Sequence, residues 1–215
     1  MYEYQEDFIR FALDRGVLRF GRFTLKSGRE SPYFFNTGLF NSGTALSKLG
    51  RCYVESLVRA QIDFDLVFGP AYKGIPLATA VAMALAETRN RDVPYAFDRK
   101  EVKDHGEGGR LVGAPVEGRR AVIVDDVISS GISIREAAEL ITAEGGTVAA
   151  VAIALDRKER GRDEVSAVHE VEQTLGAPVV PIITLDHLET YLADHGGKGD
   201  TLDAIRQYRA RYGAA

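Results

Sequence analysis

Short apolar runs with the composition of buried strands alternate with helical segments through most of this chain. The predicted strands cover residues 66–68, 95–98, 121–124, 147–155 and 179–183. Between the first two, a helix begins at Pro76 and ends near Glu87. This alternation predicts an α/β fold with a central, mainly parallel sheet flanked by helices. Ligands of such sheets bind at the carboxyl ends of the strands.

The N-terminal segment, residues 1–40, does not alternate in this way and is expected to form a small hood. The elements predicted before residue 66 are a helix over residues 2–15, extended stretches at 20–25 and 33–36, and a helix over 44–60. Later helices are predicted from Ser133, in a capping box with Glu136, to about Glu144, over 165–175, and after Asp186 and Asp200. No repeat or Ser/Pro-rich linker divides the chain, so we expect a single domain over residues 1–215.

Composition excludes several classes of protein. Of the 215 residues, 45% are hydrophobic and 27% are charged, which is too apolar for a disordered chain. The single cysteine, Cys52, excludes a disulfide scaffold and is expected to be a small buried side chain on a helix. The formal net charge of -4 disfavours a general affinity for nucleic acid or for anionic membranes.

The acidic N-terminus lacks the basic and apolar regions of a signal peptide. The longest apolar run, residues 148–155, is far too short to span a bilayer. These two features predict a cytoplasmic protein. His and Cys residues do not cluster with the spacing of metal ligands, so a structural zinc is not expected.

The strongest functional signal follows the predicted strand at 121–124. Two adjacent carboxylates, Asp125 and Asp126, precede small and hydroxyl residues, after which a helix begins. A helix N-terminus offers unpaired N–H groups and the positive end of a dipole, which suit a phosphate. Carboxylates beside a phosphate need hydroxyl or metal partners. The segment therefore predicts a sugar-phosphate site; aspartates that only cap the helix are disfavoured, because two charged groups after four apolar residues are costly in a plain connection.

Two other segments at predicted strand ends carry cations. The loop at residues 69–74 exposes backbone between two glycines and places Lys73 where it suits a diphosphate. Residues 99–110 are polar and rich in glycine, so we expect a mobile lid that closes over a polyanion and excludes water. Taken alone, each of these segments is more simply a solvated surface loop.

The chain contains five segments in a fixed order: FTLKSGRESPYFFN, FGPAYKGIPLA, RKEVKDHGEGG, IVDDVISSG and ALDRKERG. Together they resemble the bacterial orotate phosphoribosyltransferase family of type I phosphoribosyltransferases, over nearly the whole chain. The resemblance implies the fold of that family and the transfer of ribose 5-phosphate from phosphoribosyl diphosphate (PRPP) to N1 of orotate. The products are orotidine 5′-monophosphate and diphosphate, in pyrimidine biosynthesis. The resemblance also implies Mg²⁺ and a homodimer whose lid, with Lys103, acts in the neighbouring subunit's site.

The resemblance assigns roles to particular residues. Asp125 and Asp126 match the pair that holds the ribose hydroxyls, and with Lys103 and His105 they form the implied catalytic set. The implied PRPP-binding set is Lys26, Tyr72, Lys73, Arg99, Lys100, Lys103, His105, Asp125, Asp126, Val127, Ile128, Ser129, Ser130, Gly131, Ile132 and Ser133. The implied orotate-binding set is Lys26, Phe34, Phe35, Ser129 and Arg157, with Arg157 on the carboxylate. No direct metal ligand is implied, since PRPP holds most of the Mg²⁺ and the aspartates act nearby or through water.

Two positions depart from the usual family pattern. Ser129 stands where threonine is common, and Ile132 stands where a hydroxyl residue is usual, so we expect backbone N–H groups to dominate the phosphate contact. Because neighbouring residues on a strand point to opposite faces, at most one ring of Phe34 and Phe35 can stack on orotate.

Two other functions are less consistent with the sequence. A purine-type phosphoribosyltransferase is disfavoured by Arg157 and by the orotate-binding segment. A regulator that senses PRPP is disfavoured because the sequence has neither a helix-turn-helix nor a basic excess.

Overall fold

The structure is a computed structural model that describes residues 1–25, 28–103, 109–161, 165–196 and 199–214, without the side chains of Val102 and Lys103. Its strands are β1 Leu18–Thr24, β2 Glu30–Phe35, β3 Leu66–Gly69, β4 Tyr95–Lys103, β5 Gly109–Gly113, β6 Arg120–Val124, β7 Thr147–Asp156 and β8 Val179–Thr184. Its helices are α1 Glu3–Asp14, α2 Gly43–Arg59, α3 Gly74–Arg89, α4 Ile132–Ala143, α5 Ala167–Leu175, α6 Leu185–Asp194 and α7 Gly199–Tyr212, with a short 3-10 helix at Thr37–Leu39. No helix in these ranges is long and apolar enough to cross a membrane.

The central sheet has the strand order β5-β4-β3-β6-β7-β8. All neighbouring pairs are parallel except β4 and β5, which are antiparallel. The prediction of an α/β fold with a mainly parallel sheet is confirmed. Most positions of β6 and β7 are buried, because helices cover both faces of the sheet and leave little room for polar side chains.

Two apolar cores lie on the two faces of the sheet. On one face, α2 and α3 contribute Leu57 and Val81, together with residues of α1, α6 and α7. On the other face, α4 and α5 contribute Ile134 and Val171. Cys52 of α2 is buried, as predicted, and burial raises the pKa of its thiol to about 12. Both cores fix β6 in the middle of the sheet, where the acidic pair begins.

The N-terminal segment forms α1 and a separate antiparallel hairpin of β1 and β2. The C-terminal helix α7 packs against β2, so both ends of the chain meet beside the sheet. This arrangement brings hood residues such as Ser31 close to the segment that follows β7.

Two predicted features of the secondary structure are wrong. Residues 99–103 and 109–110 belong to β4 and β5 instead of a loop, and Lys103 pairs with Gly109 beyond an irregularity that follows Asp98. Backbone pairing of this kind needs no apolar side chains. Ser133 does not cap α4; the N-cap is Gly131, which makes no side-chain hydrogen bond there. No side chain of the N-cap residue therefore caps the backbone N–H groups at the start of α4.

Candidate active site

The acidic pair lies at the carboxyl end of β6. Asp125 N donates to the Ala152 carbonyl at 3.0 Å, and Ala154 N donates to the Asp126 carbonyl at 2.8 Å. From α2, the buried Tyr53 hydroxyl donates to the Asp125 carbonyl at 2.8 Å. The backbone of the pair is thus held on both sides, at the edge where parallel sheets bind ligands.

Both carboxylates of the pair are buried, but they differ in their partners. Lys73 Nζ lies 2.6 Å from Asp126 Oδ2, and the Thr37 hydroxyl donates to the same oxygen at 2.8 Å. Burial, together with the neighbouring Asp126 charge, raises the pKa of Asp125 from 3.8 to about 6. Such a carboxyl group gains or loses a proton close to neutral pH, which is typical of a functional site.

Gly131 forms the turn that starts α4. Its φ is +68°, and a Cβ at this position would lie 2.7 Å from Val171 Cγ2 and 2.9 Å from Arg135 Nη1. Arg135 Nη2 in turn donates to the Ser130 carbonyl at 2.6 Å. Glycine is required here by both the left-handed backbone and the close packing. As at any helix start, the first N–H groups of α4 have no carbonyl partner within the helix.

The side chains of the predicted phosphate loop face two directions. Val127 and Ile128 are half-buried and pack against the cores on the two faces of the sheet. Ser129, Ser130 and Ile132 are exposed, and Ser133 is half-buried in the first turn of α4. The loop is therefore anchored at its start and open at its serines.

The loop between β3 and α3 packs tightly against the end of β6. A Cβ on Gly69 would lie 2.2 Å from the Gly74 carbonyl oxygen, and one on Gly74 would lie 2.9 Å from the Val124 carbonyl oxygen. These glycines permit a backbone approach that other residues would block. The loop presents Tyr72, which is 73% exposed, and Lys73, whose ammonium group reaches the acidic pair.

Asp98 is a buried carboxylate that sequence reasoning missed. It lies in β4 and accepts a hydrogen bond from Ala71 N at 2.5 Å, while Arg110 of β5 approaches its other oxygen at 3.9 Å. Asp98 therefore fixes the loop that presents Tyr72 and Lys73. The signal that identified Asp125, a carboxylate after apolar strand residues, was also present here.

The lid segment contributes two cations from its strand. Arg99 is half-buried in β4, and Lys100 Nζ lies 3.5 Å from Glu136 Oε2, in the first turns of α4. The Lys100 side chain thus reaches from β4 to the start of that helix. Lys26, His105 and the side chain of Lys103 lie outside the described residues.

Arg157 follows β7 and is anchored on several sides. Its Nε donates to Glu159 Oε1 at 2.6 Å, and its Nη2 donates to the Ser31 hydroxyl at 3.3 Å. The guanidinium carbon lies 4.4 Å from the centroid of the buried Tyr33 ring. With 15% of its side chain exposed, Arg157 is a fixed cation that still reaches solvent.

A cleft of about 660 Å³ is lined by Ser129, Ser130 and Arg157, along with Leu25 and Arg29 of the hood. Its lining also includes Val127, the residue directly after the acidic pair. The structure thus brings the predicted residues into two adjoining groups. Lys73 lies with the acidic pair, and Arg157 lies with the phosphate loop.

Phe34 and Phe35 point to opposite faces of β2, as predicted. Phe35 packs against the core, with its ring centroid 6.4 Å from that of Phe8. Phe34 lies on the other face, 5.5 Å from the Phe23 ring and beneath the Arg19 guanidinium. Neither ring is among the residues that line the cleft.

The phosphoribosyl transferase domain family matches residues 41–180, which include the acidic pair, the loop before α3 and Arg157. The fold and the site together define the chain as a phosphoribosyltransferase.

Orotate phosphoribosyltransferases from Pseudomonas aeruginosa and Cronobacter sakazakii are each 59% identical to this chain, over 99% of the chain and 100% of the relative. The crystal structure of orotate phosphoribosyltransferase from Francisella tularensis is similar at a TM-score of 0.88, with 39% identity, 96% of this chain and 99% of that chain covered. The enzyme from Mycobacterium tuberculosis in complex with PRPP is similar at a TM-score of 0.64, with 25% identity, 86% of this chain and 98% of that chain covered. The chain belongs to the orotate phosphoribosyltransferase family.

Proposed function

We propose that the orotate phosphoribosyltransferase reaction takes place in the cleft beside the acidic pair, with the residue roles given below. In this reaction, ribose 5-phosphate passes from PRPP to N1 of orotate, and diphosphate leaves. The observation that carries the proposal is that Arg157 and the loop serines line one cleft next to Asp125 and Asp126. A carboxylate-binding cation and a phosphate-binding loop then lie together beside the groups that hold the sugar.

PRPP is held at both ends of its ribose. The 2- and 3-hydroxyls donate to the carboxylates of Asp125 and Asp126, which sit buried at the end of β6. The 5-phosphate accepts hydrogen bonds from backbone N–H groups between Ser129 and Ser133, at the positive end of α4. Ile132 supplies no hydroxyl, so this contact depends on the backbone.

Lys73 changes partner when PRPP binds. In the structure, its ammonium group lies 2.6 Å from Asp126 Oδ2 and neutralises that carboxylate. When the ribose hydroxyls take over Asp126, Lys73 becomes available for the diphosphate, beside the exposed Tyr72. Arg99 and Lys100 add positive charge from β4. The exchange keeps the buried carboxylate paired both with and without substrate, which avoids the cost of an unpaired buried charge.

The C1–O bond to diphosphate breaks while positive charge develops on the ribose ring, and N1 of orotate bonds to C1. The proton that N1 releases balances the proton that the departing diphosphate takes up. Lys103 and His105 neutralise or protonate the departing diphosphate.

Asp125 and Asp126 offer oxygen atoms of the kind that Mg²⁺ prefers, yet the described residues contain no group of three or more His, Cys, Asp or Glu able to hold a metal. The donor set therefore fits Mg²⁺ that PRPP carries, where the ion would stabilise charge on the diphosphate.

Orotate lies between the hood and the segment after β7. Its carboxylate pairs with Arg157, which separates orotate from uracil because uracil lacks that group. Phe35 packs in the core and Phe34 packs on Phe23, so the β2 backbone at these residues borders the pyrimidine edge instead of a stacked ring. Ser129 and Lys26 complete the set.

The active assembly in this proposal is a homodimer in which Lys103 of one protomer serves its partner's site. Mixing an inactive Lys103→Ala dimer with an inactive dimer carrying Asp125→Asn and Asp126→Asn should restore activity. Each mixed dimer then holds one site with intact aspartates and an intact lid. Verified subunit exchange without recovered activity would contradict the assignment in trans. The proposed place of action is the cytoplasm, because charged PRPP does not cross a membrane unaided.

Loss of orotate absorbance with PRPP and Mg²⁺ tests the function. The chain should consume orotate only when PRPP is present, and Asp126→Asn should abolish this. Asp203→Asn is the matched control, since Asp203 is exposed on α7, pairs with Arg206 of the same helix and has no assigned role in the reaction. A folded chain that leaves orotate unchanged, or Asp126→Asn with unchanged turnover, would refute the proposal.

A further inference from the structure

Glu159 is a carboxylate held by donors from three parts of the chain. Its Oε1 accepts hydrogen bonds from Arg157 Nε at 2.6 Å and from the Tyr208 hydroxyl at 2.9 Å. Its Oε2 accepts from Arg29 Nη1 at 3.3 Å. Burial and the Glu159 charge raise the pKa of Tyr208, which keeps its hydroxyl protonated as a donor. Glu159 thus ties the hood and α7 to the segment after β7.

The contacts of Arg157 hold the Nε–Nη2 edge of its guanidinium, and the Nη1 end faces away from them. Glu159 Oε1 lies 2.6 Å from both Nε and Nη2, and the Ser31 hydroxyl accepts a hydrogen bond from Nη2 at 3.3 Å, so these contacts hold the Nε–Nη2 edge. The flat face rests on the Tyr33 ring. A planar guanidinium binds a carboxylate through two parallel N–H groups, so rotation of the plane changes the strength of binding. Whatever holds the Nε side therefore sets the direction of the Nη1 side.

We propose that Glu159 and Tyr208 are positioning residues that hold Arg157 for the carboxylate of orotate, so that α7 takes part in substrate selection. This inference rests on the proposed pairing of Arg157 with that carboxylate. Tyr208 acts on Arg157 through Glu159 and through its own contact with the guanidinium, and Glu159 acts through Arg157, so neither residue contacts the substrate.

Glu159 stays in place when orotate binds. A carboxylate that only competed with orotate would have to leave Arg157, but Arg29 and Tyr208 also hold Glu159. Removing the Tyr208 hydroxyl loosens one oxygen of Glu159 and, through it, the plane of Arg157. The proposal therefore predicts weaker binding of a carboxylate ligand, whereas competition predicts tighter binding.

The test compares two product nucleotides by calorimetry. Orotidine 5′-monophosphate carries the carboxylate and uridine 5′-monophosphate lacks it, while both share the phosphate that anchors them. Tyr208→Phe removes only the hydroxyl, and Tyr212→Phe, one turn later on α7, is the matched control. Tyr208→Phe should weaken the binding of orotidine 5′-monophosphate by about threefold to tenfold, which is less than the loss of a direct hydrogen bond to a charged group because Tyr208 acts on the ligand indirectly. The affinity of Tyr208→Phe for uridine 5′-monophosphate should equal that of the unsubstituted chain within error. Tyr212→Phe should leave the affinities for both nucleotides unchanged.

Further variants separate failure of this inference from failure of the proposed function. Arg157→Ala should remove the preference for orotidine 5′-monophosphate; if it does not, the pairing of Arg157 with the carboxylate fails. If Arg157→Ala removes the preference but Tyr208→Phe and Glu159→Gln leave it unchanged or increase it, only the positioning role is overturned. Equal losses for both nucleotides would also overturn it, since they indicate a structural role. Adding Tyr208→Phe to Arg157→Ala should cause no further change in the preference.

Discussion

Replacing Asp125 with asparagine should stabilise the folded chain while it abolishes turnover. Burial and the Asp126 charge disfavour the ionised form of Asp125 and raise its pKa from 3.8 to about 6. For an acid with a raised pKa, the stabilising contribution is fully present below pH 3.8 and is lost as the pH rises through about 6. Asparagine does not ionise, and its oxygen can still accept the Asp126 N–H hydrogen bond of 2.8 Å.

The size of this effect follows from the two pKa values. The difference between 3.8 and about 6 corresponds to about 3 kcal/mol of lost stability above neutral pH. At about pH 4.5, the same two pKa values correspond to only about 1 kcal/mol of lost stability. A gain of about 3 kcal/mol corresponds to a rise in Tm of roughly 6–12 °C for a chain of this size.

Urea unfolding at about pH 7.5 and about pH 4.5 measures both quantities. Asp125→Asn should be more stable than the unsubstituted chain at the higher pH and much less so at the lower pH. Asp203→Asn, whose carboxylate is 67% exposed, is the control and should change neither value. No gain in stability at the higher pH, or an equal gain at both pH values, would refute the claim that burial disfavours the ionised form of Asp125.

Three other variants test separate parts of the account. Arg157→Ala should weaken orotate binding about tenfold to a hundredfold by calorimetry and leave PRPP binding nearly unchanged; the reverse pattern would contradict the assignment. Ile132→Thr should change PRPP affinity by less than about tenfold, or about 1.4 kcal/mol, because the backbone carries the phosphate contact; a larger gain would show that the missing hydroxyl matters. Gly69→Ala should cost about 1–3 kcal/mol or more in urea unfolding, because its Cβ would lie 2.2 Å from the Gly74 carbonyl oxygen, whereas Gly43→Ala has open space and should cost nothing. Equal stabilities for these two glycine variants would contradict the close approach of the loop to α3.

The sheet could be predicted because each parallel strand carries a buried apolar run, such as residues 121–124, with turn residues after it. The continuation of β4 to Lys103 could not, because its residues are polar and the backbone pairing of Lys103 with Gly109 leaves no mark on the side-chain pattern. The start of α4 was misassigned because Ser133 and Glu136 match the sequence pattern of a capping box. The packing around Gly131 sets the true boundary.

The site residues were predictable where one local segment carries the chemistry, as with Asp125 and Asp126. Long-range partners were not. Sequence spacing does not indicate that Lys73 pairs with Asp126, or that Tyr208 of the last helix reaches Glu159. These contacts depend on how the elements pack, and several of them decide the charge balance of the site.

A crystal structure with orotidine 5′-monophosphate bound would show which residues hold each part of the nucleotide. We predict the ribose hydroxyls on Asp125 and Asp126, the phosphate at the backbone of residues 129–133, and the carboxylate on Arg157. A nucleotide bound with its carboxylate away from Arg157, or with its phosphate away from the start of α4, would contradict this prediction.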